Sequence, residues 1–238
     1  MTDIAIVDYG MGNLRSVSKA LEHVAPTATI AVTDDPEVVR KAGRVVVPGQ
    51  GAMPDCLREL DMRGLRAAVL DAAMNKPFLG ICIGLQMLFD SSEEGNVKGL
   101  GIVPGEVRRF SPTAMADTNK ASESETGGTP GTRGQRLKVP HMGWNEVHQT
   151  NDHPLWAGIP ADARFYFVHS YYVETANPGQ IAAFSLYPAP FTCAVAKDNI
   201  FAVQFHPEKS HEAGLTLLSN FVRWKPALST DKQIQASL

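Results

Sequence analysis

The sequence predicts an α/β fold, a mostly parallel sheet flanked by helices, on three observations. Three times before residue 90, an apolar run passes through a glycine-bearing loop into a helical pattern. Crossover helices between parallel strands produce that repeat. All three glycine loops follow strands, at the edge where such sheets place ligands. With 238 residues, 44% of them hydrophobic, the chain can bury one sizeable core.

In order, Ile4–Val7 is a short apolar run ending in DYGMGN, followed by a helical pattern over Leu14–Val24. The β-branched run 45–47 stops at PGQGAMP, and a helical stretch spans about 57–73. Residues 78–81 then lead into an amphipathic helix expected to start just after Cys82. The second half turns to short strand-like runs at 105–110, 163–168, 181–185, 192–196 and 200–205, with a closing helix near 212–224. Between the halves, residues 111–136 are dominated by Ser, Thr, Gly, Ala and charges, with no apolar run to order them. They read as a flexible loop inserted into a single domain over residues 1–226, and 227–238 as a frayed tail.

The net charge of −3 and the lack of a basic run argue against nucleic-acid or membrane-surface partners. The N-terminus MTDIAIVDYG lacks the basic start of a secretory signal, and no apolar run is long enough to span a membrane. Three scattered cysteines, Cys56, Cys82 and Cys193, form no C-x-x-C pair, so neither a metal site nor a disulfide framework is expected. A reducing cytoplasmic setting follows.

The chemistry concentrates in two stretches. G-I-C-I-G, residues 80–84, has the form of a nucleophile elbow with cysteine as the nucleophile. Its glycines leave room for a sharp turn, and free N–H groups at the following helix favour thiolate. Cys56 and Cys193 lack such flanks. The second stretch is NIFAVQFHPEKS, 199–210, where an apolar strand delivers His206 to the edge that carries Cys82. Pro207 blocks helix continuation, so an extended chain is expected to turn His206 and Glu208 to one side. A carboxylate beside an imidazole fixes its tautomer and steadies its charged form.

A cysteine elbow followed by a late His-Pro-Glu resembles the class I glutamine amidotransferases. Within that class, VDYGMGNLRSV, VPGQGAMPD, GICIGLQMLFDSSEEG, KGLGIVPG, VPHMGWNEV, YFVHSYYV and FAVQFHPEKS resemble the glutaminase subunits of imidazole glycerol phosphate synthases. The likeness runs from about residue 4 to 224, and DYGMGN and PHMGWN are its more specific parts. It implies a flavodoxin-like mixed sheet, L-glutamine as substrate, no cofactor, and a cyclase subunit as partner in a heterodimer of histidine synthesis. It also implies Cys82 as nucleophile, His206 as base then acid, and Glu208 as its orienter.

The resemblance carries further positions. Gln86 and Glu94 match residues that hold the ends of glutamine, joined by Gly49, Ser170 and Tyr171. The oxyanion donors fall to Ile83 and the Gln50–Gly51 loop, where the commonest family form has valine in place of Gln50. Asn13, Trp144, Asn145, Tyr166 and Lys209 are candidates for the docking face, although Trp144 fits a core position equally well. Rival readings are a glutaminase subunit of another synthase, a free-standing γ-glutamyl hydrolase, and a catalytically silent module of the same fold.

Overall fold

The computed structural model describes residues 2–111 and 138–227. The insertion expected at 111–136 therefore lies outside the described residues, Ser111 apart, as does the tail beyond 227. The first half supplies β1 (Ile4–Val7), α1 (Leu14–Val24), β2 (Ile30–Thr33), α2 (Pro36–Lys41), β3 (Arg44–Gly49), α3 (Met53–Met62), α4 (Arg66–Asn75) and β4 (Phe78–Cys82). A single-turn helix α5 (Ile83–Gln86) precedes β5 (Phe89–Ser92), β6 (Val97–Lys98) and β7 (Val103–Arg109). Then come β8 (His141–Glu146), β9 (His148–Gln149), β10 (Arg164–His169), β11 (Tyr171–Thr175), β12 (Ile181–Leu186), β13 (Pro190–Lys197), β14 (Ile200–Val203) and α6 (His211–Arg223).

Strands β2, β1, β3, β4 and β14 lie side by side and pair in parallel. Every residue of β1, β4 and β14 is buried, as strands covered on both faces require. Beyond β14 the sheet continues antiparallel through β13, β11 and β7, so it is mixed, with a parallel half that carries the site. β8 and β10 form a separate antiparallel pair. Helix α6 packs on α1, burying Leu217, Leu218 and Phe221 at the spacing of one helical face.

Two expectations are corrected. The helix read over 57–73 is two helices, α3 and α4, broken at Gly64 (φ +66°). Gly64 N–H donates to Asp61 O at 2.9 Å and Leu65 N–H to Leu60 O at 3.0 Å, the pair of bonds that ends a helix on a left-handed residue. The helix after Cys82 is four residues long and not amphipathic, because residues 83–89 are all buried. The chain turns back at once into β5, so no long helix dipole points at the cysteine. The apolar pattern also left β2, β8 and β11 unpredicted, since few of their residues are fully buried.

Residues 80 and 84 allow the turn after β4 to close. A Cβ on Gly84 would stand 1.8 Å from the carbonyl oxygen of Val47, and one on Gly80 would stand 2.6 Å from Gly84 O. Gly64 has open space around it and needs only its positive φ. Gly84→Ala is therefore expected to destabilise by about 3 kcal/mol through forced backbone displacement. Gly64→Ala should cost about 1 kcal/mol. Urea unfolding of both variants beside the wild type checks the order, and equal losses would remove the packing argument.

Candidate active site

Parallel register brings the site together. Cys82 is paired with Gly49 across β3 and β4, and Val203 with Ile81 across β14 and β4. The residues following Val203 therefore run alongside the elbow. Cys82 has φ 56° and ψ −107°, a conformation disfavoured for any side chain and worth roughly 1–3 kcal/mol of strain. The packing around Gly84 holds it there, with the cysteine 5% exposed.

His206 and Glu208 are buried together, and His206 Nδ1 lies 2.8 Å from Glu208 Oε1. A carboxylate accepts, so Nδ1 carries a proton and donates it. The expected extended chain is not what aligns them. Pro207 opens a 3-10 turn, Pro207–Lys209, that curls Glu208 back under the imidazole. Proline at the first position of such a turn is pre-organised, since its φ fits and its missing N–H is no loss. Ser210 Oγ–H donates to His206 O at 2.6 Å, and His206 N–H donates to Tyr166 O at 2.9 Å.

His206 Nε2 is buried and faces the Cys82 sulfur, with no other partner in reach. Burial pulls the imidazole pKa down, but hydrogen bonding and charge from Cys82 and Glu208 outweigh it and raise it to about 10. Positive charge on the ring is thus favoured beside the sulfur. Burial instead pushes the Cys56 thiol up to about 12 and the Cys193 thiol well above its ordinary value, which leaves both unreactive.

A pocket of about 320 Å³ opens over the sulfur. Its walls carry nine residues singled out from sequence: Gln50, Gly51, Cys82, Ile83, Gln86, Glu94, Ser170, Tyr171 and His206. Gly49 stands behind the wall at the end of β3, packed against Tyr9 and Ile83. Tyr9 Oη–H donates to Pro48 O at 2.6 Å and Cys56 Sγ–H to Gln50 O at 3.5 Å, which pins the loop beside the pocket. Glu94 Oε2 accepts from Met53 N–H at 2.8 Å, capping α3. Gln86 Nε2 donates to Tyr171 O at 3.2 Å and to Gln204 Oε1 at 3.0 Å, while its Oε1 is buried and unpartnered. A buried, unmatched carbonyl oxygen in a pocket wall is a place for a ligand's donor.

The family model for "Glutamine amidotransferase class-I" matches residues 5–224. The chain belongs to that family. The imidazole glycerol phosphate synthase subunit HisH of Nitrosospira multiformis is 74% identical over 226 residues, covering 95% of this chain and all of that protein. Its counterpart of the same name from Nitrosomonas europaea is 62% identical over equal coverage. Among solved structures, one described as a glutamine amidotransferase aligns with TM-score 0.64 at 15% identity over 92% of this chain and 99% of that one, a likeness of fold alone.

For a glutamine amidotransferase, the remaining candidates fall into two places. Trp144 and Tyr166 face each other across β8 and β10, their rings 6.1 Å apart, and the Lys209 ammonium lies 5.9 Å from the Tyr166 ring. Trp144 is 40% exposed, so the core position is the wrong one for it. Asn145 donates to Leu186 O at 3.0 Å, and Asn13 caps α1 by accepting from Ser16 N–H at 3.4 Å.

Sequence reasoning missed Pro140, Val168 and His169 in the pocket wall, and Gln204 beneath it. Strand alternation puts Gln204 on the face of His206, a signal that was present and unused. His169 Nδ1–H donates to Tyr171 O at 2.7 Å, so its Nε2 accepts from His141 Nδ1–H at 2.9 Å. Burial holds His141 down at about 4 and, aided by the nearby His141, His169 at about 3. His153, packed on Phe201 and Trp224, is also held at about 4 by burial.

These three histidines set an acid limit. Below their ordinary value of 6.5 the unfolded chain takes up protons that the folded chain refuses until about 4 or 3, so stability falls across that window. His206 acts oppositely: its stabilising proton is fully present below 6.5 and is lost as pH rises through about 10. Urea midpoints measured at pH 7.5, 6 and 5 should decline. His153→Phe, which keeps a ring in place, should decline less, and an identical slope would contradict the assignment.

Proposed function

We propose that the chain is the glutaminase subunit of an imidazole glycerol phosphate synthase, hydrolysing L-glutamine and passing ammonia to a cyclase subunit in histidine synthesis. One observation carries this reading: the buried side chains of Cys82, His206 and Glu208 at a pocket of about 320 Å³, in a chain 74% identical over 226 residues to a HisH protein.

In this reading Cys82 Sγ, as thiolate, attacks the side-chain amide carbon of glutamine. N–H groups of Ile83 and the Gln50–Gly51 loop hold the oxyanion, each donor being worth about 10²–10³ in rate. The C–N bond breaks as His206 Nε2 gives its proton to the departing nitrogen, and ammonia leaves. His206 then takes a proton from water, which attacks the γ-glutamyl thioester. Collapse breaks the C–S bond and yields glutamate and the thiolate. Glu208 keeps the ring oriented throughout. Gln86 Oε1 and the Glu94 carboxylate suit the α-ammonium of the substrate, and the Ser170–Tyr171 backbone its α-carboxylate end.

Ammonia escaping into water is protonated and no longer nucleophilic, so the pocket mouth belongs against the partner. The Trp144–Tyr166–Lys209 cluster, with Asn145 and the Asn13 loop, forms the docking face of a heterodimer. We place the complex in the cytoplasm; among the described residues no helix is long and apolar enough to cross a membrane.

The test is glutamate release by the chain alone, with the cyclase subunit, and with that subunit's nucleotide ligand, beside Cys82→Ala. The expected result is little activity alone, a rise of about 10² or more with partner and ligand, and none in the variant. Full activity alone, or indifference to the ligand, would refute the reading. Lys209→Ala should weaken this activation while sparing the triad, and unchanged activation would remove Lys209 from the docking face.

A further inference from the structure

We infer that Gln204 is a fourth catalytic residue, whose side-chain amide donates a hydrogen bond to the nucleophilic sulfur of Cys82. Gln204 Nε2 lies 3.6 Å from Cys82 Sγ, and the residue is 0% exposed. It sits one position beyond Val203, which is in register with Ile81, so the strand pairing itself delivers the side chain to the elbow.

The hydrogen-bond network determines which way the amide faces. Tyr171 O can only accept, so the atom of Gln86 that meets it is the donor Nε2. That same Nε2 also meets Gln204, which must present its oxygen there. The nitrogen of Gln204 is then left facing the sulfur. A flipped amide would set nitrogen against nitrogen at Gln86. The line therefore runs from Cys82 through Gln204 and Gln86 to Tyr171, every bond with a defined donor.

A methionine or leucine would fill the same volume with no polar atoms to satisfy, so a buried amide here asks for a reason. The chemistry supplies one. The sulfur is anionic when it attacks and becomes anionic again when the thioester breaks, but is neutral in between. A donor aimed at it favours the thiolate in the resting site and as the leaving group in deacylation. His206 must surrender its proton to the departing nitrogen, whereas the Gln204 amide keeps its own and holds the sulfur through the whole cycle. The same side chain fixes Gln86 with Oε1 turned to the pocket, which links the nucleophile's position to that of the substrate.

The inference rests on the glutaminase reading, and two readouts keep the two apart. Gln204→Glu keeps the oxygen that Gln86 needs and removes the donor to sulfur; Gln204→Met removes both. Alkylation of Cys82 by iodoacetamide at pH 7.5, followed by peptide mass spectrometry, reports on the sulfur without requiring turnover. It should slow by about tenfold or more in Gln204→Glu, the size of one hydrogen bond to a charged group. In the complex with the cyclase subunit, kcat should fall by a similar factor while KM stays within about threefold. Alkylation and kcat within twofold of the wild type would overturn the inference, as would a rise in KM alone, which would leave Gln204 only a support for Gln86. If Gln204→Glu does not fold, the alkylation rate of Gln204→Met decides. A wild type that turns over no glutamine, yet shows the alkylation difference, would defeat the glutaminase reading and leave the contact with sulfur standing.

Discussion

The close approach of α5 to β3 is the constraint from which the site follows. With no side chain on Gly84, its Cα can lie against the Val47 carbonyl, and the chain reverses within one helical turn of β4. That reversal holds Cys82 at φ 56° and presses Ile83 against Gly49. Cys82 and the loop beside it are therefore placed by one packing contact. The strain at Cys82 is borne by a sheet whose strands are buried on both faces, which is what allows a disfavoured conformation to persist.

Around this elbow the interior is buried, and many of its polar groups are matched to one another. Glu208 meets His206, Gln86 meets Gln204 and Tyr171, and His141 meets His169. Among the described residues, His206 Nε2, Gln86 Oε1 and Glu208 Oε2 are buried side-chain atoms with no partner in hydrogen-bond geometry. The first two belong to residues of the pocket wall. In a low-dielectric site, unmatched atoms are where a ligand or a neighbouring group can offset desolvation.

The β8–β10 pair joins this interior to the surface. Its exposed end bears Trp144 and Tyr166, and its buried end bears His141 and His169, the latter in the pocket wall. The Tyr166 backbone also clasps the His206–Ser210 turn, accepting from His206 N–H and, through its own N–H, donating to Ser210 Oγ. A partner pressing on Trp144 and Tyr166 would thus bear on the strand that positions the imidazole, with no intervening flexible segment.

Much of this was legible in the chain itself. Glycine spacing around Cys82 and the run into His206 pointed to the tight turn and to the histidine that folding brings to it, because steric room and strand polarity are local properties. The β–α alternation gave the parallel half for the same reason. Local pattern failed where long-range packing decides. The break at Gly64 and the single turn of α5 depend on what those segments meet. Pro207 makes a 3-10 turn where local geometry had predicted extended chain. Trp144 faces outward because the strand pairing across from Tyr166 leaves its side chain uncovered, and tryptophan alone does not carry that information. The His141–His169 pair needed the tertiary structure most, since a buried polar side chain declares its role only through the partners that folding brings to it.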